Sequence, residues 1–287
     1  MNIFRSTLIK TSLLLLTLSS CSIAGSWVYE RLDNYLANYF FEFADFSEDQ
    51  REKIRSITED YQLWFSKSEL PKINNLLIEL KNFNEDTNKK EIEDIYEKGF
   101  EIFKSTNNYF APYLVELSKS LTKSQIDQVE NHFTEIQKER DEKNIERLKK
   151  PYKERILENY SSGLRRLGIE LKQQQLNRLS DSLKQMEDSG DEWNLLQKEW
   201  NSKLITILKT NKTTNFEESL NAHLEELYSL GSTSFRDNTE KNQDVIISSL
   251  TDIIKSLDAT QRKKLTRRLN VYQKSLRKII KNQDSLQ

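Results

Sequence analysis

Apolar residues return at helical spacing along almost the whole chain, and no stretch shows the strict alternation of a strand. The first stripe, Val28, Leu32, Tyr35, Leu36, Tyr39, Phe40 and Phe43, predicts an amphipathic opening helix. Trp27, Tyr29 and Phe41 lie off it. Core packing accounts for these aromatics more simply than contact with lipid headgroups does.

Four short segments punctuate the pattern: Phe46-Ser47-Glu48-Asp49-Gln50, Leu121-Thr122-Lys123-Ser124-Gln125, Leu257-Asp258-Ala259-Thr260-Gln261 and Leu171-Lys172-Gln173-Gln174-Gln175. In the first three, the oxygen of Ser47, Thr122 or Asp258 caps a helix start. Gln50, Gln125 or Gln261 then reaches back to the N–H of the cap, completing a capping box behind a candidate hydrophobic staple. In the fourth, Lys172 stands where the cap belongs, so Gln175 opens a weaker helix start. The apolar residues behind each glutamine keep step: Ile54, Ile57 and Tyr61; Val129 and Phe133; Leu265, Leu269, Tyr272 and Leu276; Leu176, Leu179 and Leu183.

Proline and glycine set the other expected boundaries. Pro71 suits the first turn of a helix through Leu80, Pro112 interrupts a helical stretch from Lys90 to Ser118, and Pro151 kinks a long helix from Lys123 toward Arg166. Gly168 and Gly190 read as helix stops. Helices follow at about 192–210, 215–230 and 239–256, and a final one runs over 259–281. The expected fold is all-α: an elongated multi-helix bundle of amphipathic helices. It divides into a leader (1–20), a short tether (21–26), an N-terminal helical region (27–166) and a C-terminal one (167–287), packed as one continuous helical unit.

Composition supports the helical reading, with 31% charged and 36% hydrophobic residues but only 6 Gly and 3 Pro. So thin an apolar content favours slender bundles and hairpins over one thick core. The formal charge of −1 becomes −3 without residues 1–20, which hold Arg5, Lys10 and no acid, and it points to no class of partner.

The start of the chain carries an address. Arg5 and Lys10, the run Leu13 to Leu16 with Leu18, and the small Ser19 and Ser20 have the order of an export signal, and the apolar stretch is too short to span a bilayer. Leu18-Ser19-Ser20-Cys21 resembles the bacterial lipobox, which implies cleavage between Ser20 and Cys21 and a diacylglycerol thioether on Cys21. Two or more acyl chains anchor stably, so the expected partner is the membrane itself. By resemblance to Gram-negative lipoproteins, Ser22 after the cysteine implies the inner leaflet of the outer membrane, facing the periplasm. Lipidation would use the one cysteine and leave packing alone to hold the fold.

Enzyme chemistry is hard to find in the sequence. His132 and His223, the only histidines, sit on polar helices without metal-ligand spacing and read as solvated. No Gly-rich phosphate loop or G-x-S-x-G elbow occurs, and the acids alternate with lysines as ordinary helix-face partners do. No metal or other cofactor is expected. The last helix is the best candidate for binding: Arg262, Lys263, Lys264, Arg267, Arg268, Lys274, Arg277, Lys278 and Lys281 occur with no acid among them. Such a face suits an anionic surface or an acidic envelope protein. A solvated cationic face that neutralises acidic helices elsewhere explains the same residues more simply, and chromosomal nucleic acid is out of reach.

These residues carry a resemblance to a family. The lipobox, Tyr29-Glu30-Arg31-Leu32-Asp33, the box at Ser47 to Gln50, and Trp64 with Glu69-Leu70-Pro71 look like the DUF6279 family of bacterial lipoproteins. The likeness runs on more loosely through the repeats at Leu121, Leu171 and Leu257 and the Trp193 and Trp200 pair. Members commonly show His-Arg after the tryptophan where this chain has Phe65-Ser66, so no role of those polar residues carries over. Leu121-Thr122-Lys123-Ser124-Gln125 also resembles the LTxxQ motif of small periplasmic chaperones of the Spy and CpxP type, which hold unfolded clients on a helical cradle. A capping box explains the same letters structurally.

The expectation is a non-enzymatic, outer-membrane-anchored helical lipoprotein that binds a client protein or envelope component. The alternative is an envelope hydrolase, or a regulator of one, that uses clustered carboxylates.

Overall fold

The computed structural model describes residues 29–284, and these hold eleven α-helices and no strand. In chain order they are α1 (Leu32–Phe41), α2 (Glu48–Ser68), α3 (Leu70–Asn82), α4 (Lys89–Ser120), α5 (Lys123–Leu148), α6 (Tyr152–Arg166), α7 (Gln173–Leu183), α8 (Gly190–Leu208), α9 (Phe216–Glu226), α10 (Thr233–Lys255) and α11 (Ala259–Asp284). The all-α, multi-helix expectation holds. Ser20, Cys21, Trp27 and Val28 lie outside the described residues.

The stripes behind the four glutamines are buried: Ile54, Ile57 and Tyr61 on α2, Val129 on α5, Leu179 and Leu183 on α7, Leu265, Leu269 and Leu276 on α11. They feed separate apolar clusters. One gathers Ile156, Leu179, Ile247, Leu257 and Leu269 in the C-terminal half. A second, around Tyr61, Phe65, Leu70 and Ile102, is closed by Leu276 and Ile279 of α11. A third joins Val115, Leu121, Ile126, Ile205 and Phe216.

Tyr29 is a core residue, and its hydroxyl donates to the Gln62 carbonyl at 2.6 Å. Tyr35 departs from its expected stripe and is 49% exposed. Phe41 lies under the Arg51 guanidinium, 3.8 Å from its carbon to the ring centre.

Several boundaries differ from expectation. Helix α4 runs unbroken through Pro112, which sits on its exposed side, so solvent can take the Asn108 carbonyl that the ring leaves without a donor. Pro151 does more than kink: it ends one helix and opens the next, because the residue before a proline is pushed out of helical geometry. Gly168 does stop α6, at φ +84°, where a Cβ would also press on the Lys264 carbonyl oxygen at 3.1 Å. Gly190 opens α8 instead of closing a helix, and its N–H donates to the Asp188 carboxylate at 3.0 Å. Helix α10 starts earlier than expected, at Thr233, where Ser232 caps the Phe235 N–H at 3.0 Å.

Candidate functional site

The predicted capping boxes form at all three expected starts. Ser47, Thr122 and Asp258 accept from the N–H of Gln50, Gln125 and Gln261 at 3.4, 3.2 and 2.7 Å. Their own N–H groups donate to the three glutamine Oε1 atoms at 2.9, 3.0 and 3.1 Å. At the fourth start, the Lys172 N–H donates to Gln175 Oε1 at 2.9 Å, but an ammonium cannot accept, so only half a box exists. Its Nζ pairs with Asp258 at 2.6 Å instead. A box at Asn88 and Glu91 opens α4 as well, and the N-x-x-E spelling could have announced it.

What the sequence did not announce is that the glutamines meet in pairs. Gln125 Nε2 donates to Gln50 Oε1 at 2.7 Å, and Gln261 Nε2 to Gln175 Oε1 at 2.8 Å, with weaker return bonds at 3.4 and 3.3 Å. Each amide also reaches the backbone two residues ahead of the opposite cap. Gln50 donates to the Ser120 carbonyl and Gln125 to that of Asp45, while Gln175 donates to Ser256 and Gln261 to Glu170. The equivalence extends to the rims: Gln128 bonds Asp45 at 2.8 Å and Lys264 bonds Glu170 at 3.0 Å, each three residues past its glutamine. Two copies of one joint thus lock pairs of helix starts, and each of the four joint amides is satisfied as donor and acceptor.

Between α1, α4, α5, α8 and α9 lies the largest cavity described, about 560 Å³. Phe40, Phe43, Leu114, Phe133, Leu204 and Leu224 are among its walls. Asn108, Asn221 and Glu225 are lining residues that reach solvent. A second apolar cavity, about 290 Å³, sits among Ile92, Ile246, Leu250 and Leu265. A third, about 410 Å³, has Tyr160, Leu164 and Trp193 behind a polar side of Arg155, Asp188 and Asn242.

Both histidines correct the solvated reading. His223 is buried, stacks on Trp200 at 4.5 Å, and its Nε2 donates to the Trp200 carbonyl at 3.0 Å. Trp200 Nε1 donates back to the His223 carbonyl at 3.2 Å, so the two clasp α8 to α9. Burial lowers the His223 pKa against the opposing pull of Glu226 and the Trp200 carbonyl, which keeps the ring neutral at neutral pH. His132 is half-buried with its ring 4.4 Å from that of Phe43.

The basic face is also partly internal. Arg262 donates to the Leu257, Ile254 and Phe83 carbonyls at 3.1 to 3.2 Å, and Arg268 to the Arg166 carbonyl at 2.9 Å, so these two cations finish the C-termini of α10 and α6. Lys263, Arg267, Lys274, Arg277 and Lys278 remain on the exposed side of α11.

Acids are held by cations. Burial alone would raise the Asp188 pKa, but the Gly190 N–H and the Arg147 and Arg155 guanidiniums, at 3.0 and 2.5 Å, bring it below the usual carboxylate range. Glu69 is 1% exposed and accepts from Lys72 at 2.7 Å and Ser105 at 3.0 Å, away from all three cavities. Among the described residues, no group of three or more His, Cys, Asp and Glu is placed to hold a metal ion, and no helix is long and apolar enough to cross a membrane.

No curated protein and no solved structure matched the chain. The profile of a family of unknown function, DUF6279, matches residues 42–236, more than half of the chain. That span contains the boxes at Ser47 and Thr122, Trp64, the Glu69-Leu70-Pro71 turn and the Gln175 start, and ends before α11. By this match the chain belongs to the DUF6279 family.

Proposed function

We propose that the protein is a non-enzymatic binding lipoprotein of the bacterial envelope. A diacylglycerol thioether on Cys21 holds it on the inner leaflet of the outer membrane, and the helical body faces the periplasm, where it holds an apolar client or envelope component. The observation that carries the binding part is the 560 Å³ apolar cavity, which lies within the range of about 300–1,000 Å³ of ligand sites. The N-terminal glutamine joint supports it by fixing the start of α5 and the end of α4, two of the helices around that space. The address rests on the lipobox resemblance.

Two measurements test the reading. Cys21→Ala should move the protein from the membrane to the soluble fraction without changing its helical content. Purified protein should suppress aggregation of a denatured periplasmic client at a modest molar ratio, or retain an envelope component on a column. Unchanged fractionation removes the anchor; failure of both binding assays removes the binding role.

The second reading, hydrolysis by carboxylates, would have to use Glu69, whose Oε2 is buried without a partner but lies away from the three cavities. If Glu69 were catalytic, Glu69→Gln would abolish a measurable turnover of an envelope polymer while the fold persists.

A further inference from the structure

Charge is distributed unevenly around the largest cavity. Its interior is almost wholly apolar, with six aromatic side chains, Tyr39, Phe40, Phe43, Phe46, Phe133 and Trp200, set against leucines of α4, α8 and α9. Most of its polar lining, Asn107, Asn108, Ser118, Asn221, Glu225 and Tyr228, lies on α4, on α9 and just after α9, with the Tyr39 hydroxyl apart on α1. That set contains one carboxylate and no cation. Asn108, Asn221 and Glu225 are exposed, which marks this side as the mouth.

From this arrangement we infer that the cavity is a binding site for a single-chain lipid: one long acyl chain in the apolar interior, and at the mouth a head that is uncharged or bears an ammonium. This deepens the binding reading above and rests on it. A chain of methylenes is the ligand best matched to a deep space offering dispersion contacts and almost no hydrogen-bonding groups. A peptide segment would carry a backbone amide at every residue into walls unable to satisfy it. The head is chosen by charge. A free carboxylate at the mouth would face Glu225 without a lining cation to offset it, whereas a glycerol hydroxyl or an ethanolamine ammonium finds the Asn108, Asn221 and Glu225 acceptors. The rim therefore selects heads without net charge, monoacylglycerols and the zwitterionic lysophosphatidylethanolamines, whose phosphate is offset by its own ammonium, over fatty acids.

The test uses the full chain with Cys21→Ala, which can carry no thioether-linked acyl group of its own. Monoacylglycerols, lysophosphatidylethanolamines and fatty acids of increasing chain length are titrated below their micelle concentrations and followed by native mass spectrometry and Trp200 fluorescence. The expected result is one lipid per chain, with affinity rising about tenfold for each two added carbons until the cavity is filled. Fatty acids should bind at least fivefold more weakly than monoacylglycerols of equal length. Ala111→Trp, which fills the cavity from α4, should abolish binding while the helical circular dichroism persists.

Should Ala111→Trp fail to fold, Glu225→Lys on the exposed rim decides the matter: it should reverse the preference toward fatty acids. Absence of saturable binding, affinity independent of chain length, or a head preference unmoved by Glu225→Lys would overturn the inference. Client binding that these lipids do not displace would overturn it too, while leaving the broader binding role intact.

Discussion

The two glutamine joints share one wiring and differ in their caps. In the N-terminal joint both partners sit behind hydroxyl caps, Ser47 and Thr122, and Gln50 is only half-buried. In the C-terminal joint both glutamines are buried, and one start has Lys172 where the hydroxyl would be. The geometry survives that loss, with amide-to-amide distances of 2.7 and 2.8 Å in the two copies. What the comparison teaches is that the glutamine is the structural element and the cap oxygen an accessory. Removing the cap leaves N–H groups at a helix end that water can reach. Removing a buried glutamine strands several groups inside the protein at once.

The largest effect should come from Gln261→Ala. It leaves the Asp258 N–H, the Glu170 carbonyl and the Gln175 amide short of partners, a loss of about 2–3 kcal/mol in denaturant unfolding. Gln50→Ala, at the more exposed joint, should cost about 1 kcal/mol. Equal losses at the two positions would break the comparison.

The difference at the caps sharpens with Lys172→Thr. This supplies the missing acceptor at the cost of the exposed Lys172–Asp258 ion pair, so the net gain should be about 0.5 kcal/mol, visible as a higher denaturation midpoint. A destabilised Lys172→Thr protein would mean that the ion pair does the capping.

The smallest effect should be the pH dependence of the His223 clasp. Its folded pKa is depressed by burial below an unfolded value of about 6.5. Its stabilisation is therefore complete above that value, and falls as pH drops below it, because the unfolded chain takes up the proton first. Thermal unfolding between pH 7.5 and 5.5 should show a decline that His223→Phe reduces. A decline unchanged in the variant would place the sensitivity elsewhere.

How much was legible in the sequence follows from range. A capping box is written within four residues, so the starts at Ser47, Thr122 and Asp258 could be read directly, and the stripes behind them followed from helical period. Pairing Gln50 with Gln125 and Gln175 with Gln261 spans 75 and 86 residues, and no local pattern encodes it. The same holds for the cavity, whose walls come from five helices, and for His223, whose helix reads as polar because the residue that covers it, Trp200, belongs to another. Arg262 and Arg268 looked like surface charge because the carbonyls they satisfy end other helices. Pro112 does not interrupt α4 because the ring faces solvent, and which side of a helix a proline takes depends on the neighbours that pack against it.

The cluster around Tyr61 is assembled from α2, α3 and α4, yet Leu276 and Ile279 of α11 complete it. A chain is made from its N-terminus, so α2, α3 and α4 exist long before α11, and the apolar surface they form waits uncovered until nearly the last residues emerge. During that interval the nascent protein resembles the unfolded guests that chaperones guard. Its maturation is thereby tied to full-length synthesis: a chain cut short before α11 would present an aromatic wound to proteases.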